Sequence, residues 1–322
     1  MQSLYAFFAT KDGNMPAAER AMLKHINEVV ELNLVIIALL IELVKYADNF
    51  YEDGKKKHLP TEADLNPKRR FVDNEMIALI REDDSLMNRV SRVSGIWLKN
   101  DHDVIRKLFS ELYKSELYTK YINHEDKGIE VDQRFIVNAL NDVILNNELV
   151  HHILEERSIY WTDDLPFAAT IVMGQIKSQK NMNPTSAFKD ESDEKFALKL
   201  FRNTINNNKD YEDIIVKFSK NWELERIAIM DQLFLKMAFA EILSMDDLPV
   251  KVSMNEYIEI SKYYGGAKSK LFVNGLLDNV VKTYTREGKI KKVFGIHHNG
   301  NILLKMNGNL VQVFPEKIKK TK

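Results

Sequence analysis

Apolar residues return at helical spacing along most of this chain. From Met22 through Ile41 they recur every three or four positions, which predicts a helix over residues 16–51. The centre of that stretch, residues 32–44 (LNLVIIALLIELV), is apolar on every side except at Asn33 and Glu42. It falls well short of the roughly 20 residues that a membrane-spanning helix needs, so it reads as a buried core helix. Residues 1–10 read as the end of a helix broken at 11–14 (KDGN), and the polar stretch 53–73, with Pro60 and Pro67, reads as a loop or strap. Helical patterns follow over residues 103–120, 131–157 and 163–177, the last capped by Thr162 or Asp163. Nothing between 74 and 180 alternates with the period of a half-buried strand, and 181–194 is a second polar connection containing Pro184.

The periodicity is strongest from Lys195 onward. Phe196, Leu200 and Phe201 open one helix, residues 211–218 continue the pattern, and 222–243 places Leu224, Ile227, Met230, Phe234, Met237 and Ile242 near one face. Ser253 followed by Glu256 has the form of a capping box, opening a helix that ends at Gly265. A last helix covers residues 268–284. Gly275 lies inside it, where glycine costs about 1 kcal/mol relative to alanine; close packing of a neighbouring helix is the expected reason. Residues 297–317 alternate around Asn-Gly pairs and read as a short hairpin or a disordered tail. The chain is therefore read as all-α, with an enlarged N-terminal helical subdomain (1–190), a C-terminal helical subdomain (191–288) and a basic tail (289–322).

Composition narrows the function classes. The chain has no cysteine, which excludes disulfides, thiolate zinc sites, iron–sulfur clusters and a thiol nucleophile, and fits a reducing compartment. Its first residues lack the basic and small-residue features of a secretory signal, so a cytoplasmic protein is expected, with no membrane partner. No dinucleotide fingerprint, phosphate-binding loop, zincin motif, EF-hand loop or nucleophile elbow is present. Adjacent His151 and His152 would diverge by about 100° on a helix. Asp163 and Asp164 suit the positive end of a helix better than a metal. A non-enzymatic protein without cofactor or metal is the expectation.

Net charge is −1, yet residues 251–322 hold 14 Lys and Arg against 5 Asp and Glu, leaving −10 on residues 1–250. A basic end beside an acidic body suggests a polyanion partner. Lys268 and Lys270 fall at the start of the last helix, where the macrodipole disfavours cations by roughly 0.3–1 kcal/mol each. A helix start with unsatisfied N–H groups and two ammonium groups suits a phosphate. Phe272, one turn on, can stack on an unpaired base or belong to the core. Asn274 is a structural amide or an RNA contact.

Several motifs then point to one family. Arg226-Ile227-Ala228, Met230-Asp231, Leu235-Lys236-Met237-Ala238 with Glu241, Pro249-Val250-Lys251-Val252, Asn255-Glu256-Tyr257-Ile258-Glu259 and Phe272-Val273-Asn274-Gly275-Leu276-Leu277-Asp278 resemble, in order and spacing, the C-terminal part of the NusB family. Gln2-Ser3-Leu4-Tyr5 is similar to that family's Gln-x-Leu-Tyr, and the long middle (HLPTEADLNP, FVDNEMI, SIYWTDDL) is similar to the enlarged form found in Bacteroidetes-type bacteria. The resemblance implies a two-subdomain helical bundle with a large helical insertion in the N-terminal half. It also implies binding of boxA-type single-stranded RNA together with the ribosomal protein NusE, within the RNA polymerase antitermination complex on ribosomal RNA operons. Carried over by position, it implies RNA contacts at Gln2, Tyr5, Lys268, Ser269, Phe272 and Asn274, joined by Lys270 from the charge argument, and a partner interface at Asp231 and Lys236. Lys236 stands where many relatives have arginine, which keeps the charge but loses bidentate geometry.

One departure concerns the start. The family carries an arginine-rich segment before Gln-x-Leu-Tyr, and here the sequence opens at Met1. Either the start lies elsewhere or the chain is shortened, or RNA affinity rests on the C-terminal lysines alone and is weak. Two other classes stay open: a helical scaffold whose RNA surface has decayed, and the NusB-like domain of an RNA-modifying enzyme, for which no glycine-rich cofactor loop is present.

Overall fold

A computed structural model describes residues 1–10, 13–98, 103–180, 182–219, 224–245 and 248–290, and the backbone of 297–298, 301–306 and 309–313. Its helices, in order, are α1 (Gln2–Thr10), α2 (Met15–Lys55), α3 (Glu62–Leu65), α4 (Glu75–Glu82), α5 (Asp84–Val93), α6 (Gly95–Leu98), α7 (Asp103–Lys114), α8 (Glu116–Ile122), α9 (Ile129–Ala139), α10 (Glu148–Arg157), α11 (Ile159–Ser178), α12 (Glu191–Asn206), α13 (Asn208–Phe218), α14 (Ile229–Ser244), α15 (Val250–Tyr264) and α16 (Ser269–Arg286). The fold is all-α, with a short π-turn at Leu140–Ile144 and a 3-10 turn at Leu224–Arg226. The exception lies near the C-terminus, where β1 (His297–His298), β2 (Asn301–Met306) and β3 (Asn309–Val313) form an antiparallel ribbon in which Leu304 faces Val311. The Asn-Gly pairs at 299–300 and 307–308, Trp222 and the lysines of 317–322 lie outside the described residues.

The chain divides into two units, residues 23–189 and residues 1–22 with 190–322. The sequence-based division had placed residues 1–22 with the N-terminal half. Their side chains explain the difference. Phe7 meets Phe201 of α12 edge to face at 6.2 Å, and Arg202 of α12 donates to both Glu19 oxygens, at 2.6 and 2.7 Å.

The 23–189 unit is built around α2. Leu32, Ile36, Ile37, Leu39, Leu40 and Leu43 are almost fully buried, as an apolar helix surface all round requires. Trp97 donates its indole N–H to the Val35 carbonyl at 2.9 Å, and Glu42 is neutralised by Lys45 at 2.7 Å. The strap at 53–73 is more ordered than its composition suggests. Thr61 and Asp64 form a capping box on α3, and the Arg70 guanidinium donates to the carbonyls of Tyr121, His124 and Asp126. Helix α11 starts at Ile159, before the expected caps Thr162 and Asp163, with Ser158 as its N-cap.

In the other unit α14 is central. The sequence pattern suggested one apolar face, but Leu233 through Ile242 are buried without interruption, Lys236 and Glu241 included. Helices α1, α12, α13, α15 and α16 all pack against it. The two buried charges survive because each has a partner: Lys236 binds Glu212 of α13 at 2.9 Å, and Glu241 accepts the Tyr257 hydroxyl of α15 at 2.7 Å.

Candidate nucleic-acid interface

The corner between α15 and α16 sets the geometry of the basic helix start. Helix α15 begins at Val250, with Pro249 in extended conformation before it, so Ser253 is no cap. It lies inside the helix, fully buried, because a proline at this position stops the preceding segment and leaves the helix to start at once. Gly265 ends α15 with φ −99°, an ordinary value. What demands glycine is space: a Cβ there would lie 2.4 Å from the Ser261 carbonyl oxygen and 2.4 Å from Ser269 Cβ.

That close approach fixes the start of α16. No side chain caps it, and Lys268 occupies the cap position. Lys268, Lys270, Leu271, Asn274 and Gly275 are exposed, Phe272 is half-buried, and Val273, Leu276 and Leu277 face the core. Positions 268, 271 and 275 share one helix face, with 270 and 274 beside it. The expected packing reason for Gly275 is not found, since a Cβ at that position would meet nothing within 4 Å. Gly275→Ala is therefore expected to raise stability by about 0.4–1 kcal/mol through the unfolded chain, seen as a higher melting temperature. A lower one would mean that hidden packing does matter.

Ser269, expected at an RNA contact, is turned inward. It is 4% exposed, accepts the Gly266 N–H at 2.8 Å, and turns its hydroxyl toward Asp231 on the first turn of α14. Asp231 is itself buried, and its Oδ1 has no hydrogen-bond partner. Burial raises its carboxyl above its ordinary value, and the Ser269 hydrogen bond offsets this only in part. A carboxyl raised in the folded state stabilises the fold below its unfolded value and loses that contribution as pH rises through its folded value. Asp231→Asn should therefore unfold at higher urea than the parent at neutral pH. The gap should close as pH falls below the ordinary aspartate range. Equal midpoints at neutral pH would show that the buried charge costs nothing.

On the other side of α14, the first helix supplies an aromatic. Tyr5 is 47% exposed. With Phe8, Ala9, Ile229, Gln232, Leu233 and Lys236 it lines a cleft of about 160 Å³ between α1 and α14. Lys236 reaches the cleft from inside, its ammonium 5.3 Å from the Phe8 ring centre while its salt bridge runs to Glu212. Gln2 is exposed on the same helix.

The site residues named from sequence thus fall into two groups. Tyr5 and Gln2 on α1, and Lys268, Lys270, Phe272 and Asn274 on α16, stand on elements that flank the first turn of α14. Asp231 and Lys236, expected at a partner interface, and Ser269 are interior residues that hold those elements in place. A serine or lysine reads as surface in sequence, and burial came from a partner distant in the chain. Periodicity gave no sign of Phe8, Ile229 and Gln232 as cleft walls, although Ile229, 67% exposed at a helix start, is out of place for a core residue.

Among the described residues no group of three His, Asp or Glu side chains can hold a metal, and no helix is long and apolar enough to cross a membrane. What the fold defines is a helical protein in which an exposed tyrosine and a pair of exposed lysines stand on two helices that pack against one central helix. The NusB family model matches residues 171–282. The transcription antitermination protein NusB of Dictyoglomus turgidum is 38% identical over 99 residues, which cover 31% of this chain and 69% of that protein. The chain belongs to the NusB family. The NusB proteins of Chloroherpeton thalassium (40% identical over 116 residues, 36% of this chain) and Salinibacter ruber (40% over 103 residues, 32% of this chain) also match, and the chain spans 55% and 64% of their lengths. A solved structure of T. maritima NusB is 28% identical, covering 38% of this chain and 80% of that one, with a TM-score of 0.29.

Proposed function

We propose that this chain is a cytoplasmic, non-enzymatic transcription antitermination factor that binds boxA-type single-stranded RNA. In this reading it acts as a heterodimer with the ribosomal protein NusE, within the RNA polymerase antitermination complex on ribosomal RNA operons. The observation that carries the reading is the pairing around α14. An exposed tyrosine stands on one side, and an uncapped helix start with two exposed lysines stands on the other. Unpaired RNA needs both: a ring on which a base can stack, worth about 1–3 kcal/mol per base, and donors for phosphate. The relatives that match over the C-terminal part carry antitermination in their names, which supports the same direction.

The small cleft lined by Tyr5, Phe8 and Ile229, with Lys236 at its floor, suits one apolar side chain of the protein partner. Lys236 then acts on that interface from beneath, beside Phe8 of α1, while Asp231 ties α14 to Ser269 at the start of α16. The test is binding of a fluorescent boxA-type RNA to the full chain, with and without NusE. NusE is expected to tighten binding, and Tyr5→Ala to weaken it about fivefold or more. RNA binding indifferent to both NusE and Tyr5 would overturn the reading.

A further inference from the structure

The end of α15 carries a second exposed ring that no part of the reading above uses. Tyr263 is 72% exposed and lies two residues before the tight Gly265 corner, across which α16 begins. Leu271, on the first turn of α16, is 75% exposed. Neither side chain belongs to the apolar face that its helix buries. Charged side chains on the two helices are linked. Lys262 places its ammonium 5.1 Å from the Tyr263 ring centre, and Glu259 accepts from both Lys262 at 3.3 Å and Lys270 at 3.4 Å. One carboxylate therefore ties a lysine of α15 to a lysine of α16 and leaves the trio with a net positive charge. A helix C-terminus ordinarily repels anions, and Lys262 in the last turn offsets that field.

We propose that Tyr263, with the Lys262 ammonium beside its ring, is a second stacking platform that extends the RNA surface toward the α15–α16 corner and takes an unpaired nucleotide flanking the segment held at Lys268. This rests on the RNA-binding reading. The chemistry selects single-stranded nucleic acid: the ring offers a face to a base, and the lysines neutralise the adjoining phosphates. A duplex would keep its bases stacked and have no use for the ring. The corner matters because the close approach at Gly265 leaves Tyr263 and Lys268 only five residues apart on the two helices that meet there, so successive nucleotides can meet both.

The experiment uses the full chain and two probes, a minimal boxA-type RNA and the same RNA with single-stranded flanks. Tyr263→Ala should weaken the flanked RNA about fivefold or more and the minimal RNA little, and Tyr263→Phe should retain affinity. Tyr263→Trp supplies a spectroscopic readout, since stacking should quench its emission when the flanked RNA binds. At such an exposed position none of these variants should alter folding, which the melting temperature checks. If Tyr5→Ala and Lys268→Ala weaken RNA binding while Tyr263→Ala leaves both probes unaffected, the platform is wrong and the primary site stands. Should the wild-type chain with NusE bind neither probe, both fall together. An effect of Tyr263→Ala seen only on NusE affinity, without RNA, would make this a protein-docking face and overturn the proposal.

Discussion

Replacing Lys236 by methionine is expected to destabilise the 1–22 and 190–322 unit by about 3 kcal/mol. Its side chain is 9% exposed and its partner Glu212 21%, so removing the ammonium leaves a carboxylate with little water to compensate. Methionine keeps most of the stem that packs near Phe8, which confines the loss to the charge. The pH dependence carries the same signature. Burial tends to raise Glu212, but the hydrogen bond and charge of Lys236, joined by the Asn208 amide and the Lys209 charge, outweigh it and hold the carboxyl below its usual value. A carboxyl lowered in the folded state contributes stability above its unfolded value, near 4.5, and loses it as pH falls through its folded value. The deficit of Lys236→Met should therefore be largest at neutral pH and shrink in acid. The double variant Lys236→Met with Glu212→Leu should recover most of it, because a well-packed apolar pair removes the desolvation cost altogether. Urea unfolding followed by circular dichroism reads both effects. A deficit independent of pH would show that packing, rather than the ion pair, is what Lys236 supplies.

The second large effect concerns RNA. Lys268→Glu combined with Lys270→Glu should weaken binding of boxA-type RNA by about 3 kcal/mol, two orders of magnitude, since each lysine gives up a charge-assisted contact and becomes repulsive. Both side chains are exposed, and Lys270 gives up only a surface bridge to Glu259, so the fold should keep its melting temperature within a few degrees. Fluorescence anisotropy with NusE present measures the loss. Undiminished affinity in the double variant would place the RNA elsewhere on the molecule.

Much of the helical architecture was legible because burial follows periodicity. Residues 32–44 are apolar enough that only the centre of a helical unit can take them. The illegible parts share one cause, contacts between residues far apart in sequence. Nothing near Lys236 announces Glu212, so a lysine that closes an interior ion pair looked like a surface residue. Ser269 was expected at RNA by its position in the family resemblance, while the close approach at Gly265 turns it inward to Asp231. The membership of residues 1–22 was hidden in the same way, since Phe201 and Arg202 lie nearly two hundred positions downstream. Gly275 misled in the opposite direction: a costly residue suggested a packing demand, and open space surrounds it. Tyr263 gave no periodic signal, because an exposed tyrosine at a helix end is unremarkable until the Lys262 ammonium is seen beside its ring.

The most direct measurement is the affinity of the full chain for a boxA-type single-stranded RNA across a range of salt concentrations, with NusE present. Contacts from Lys268, Lys270 and Lys262 to three phosphates predict that log affinity falls with log salt at a slope of about −2, given roughly −0.7 per phosphate on a single strand. The Lys268→Glu/Lys270→Glu variant should flatten that slope by more than half. A slope near zero in the wild-type chain, or one unchanged in the variant, would contradict a polynucleotide held at the start of α16.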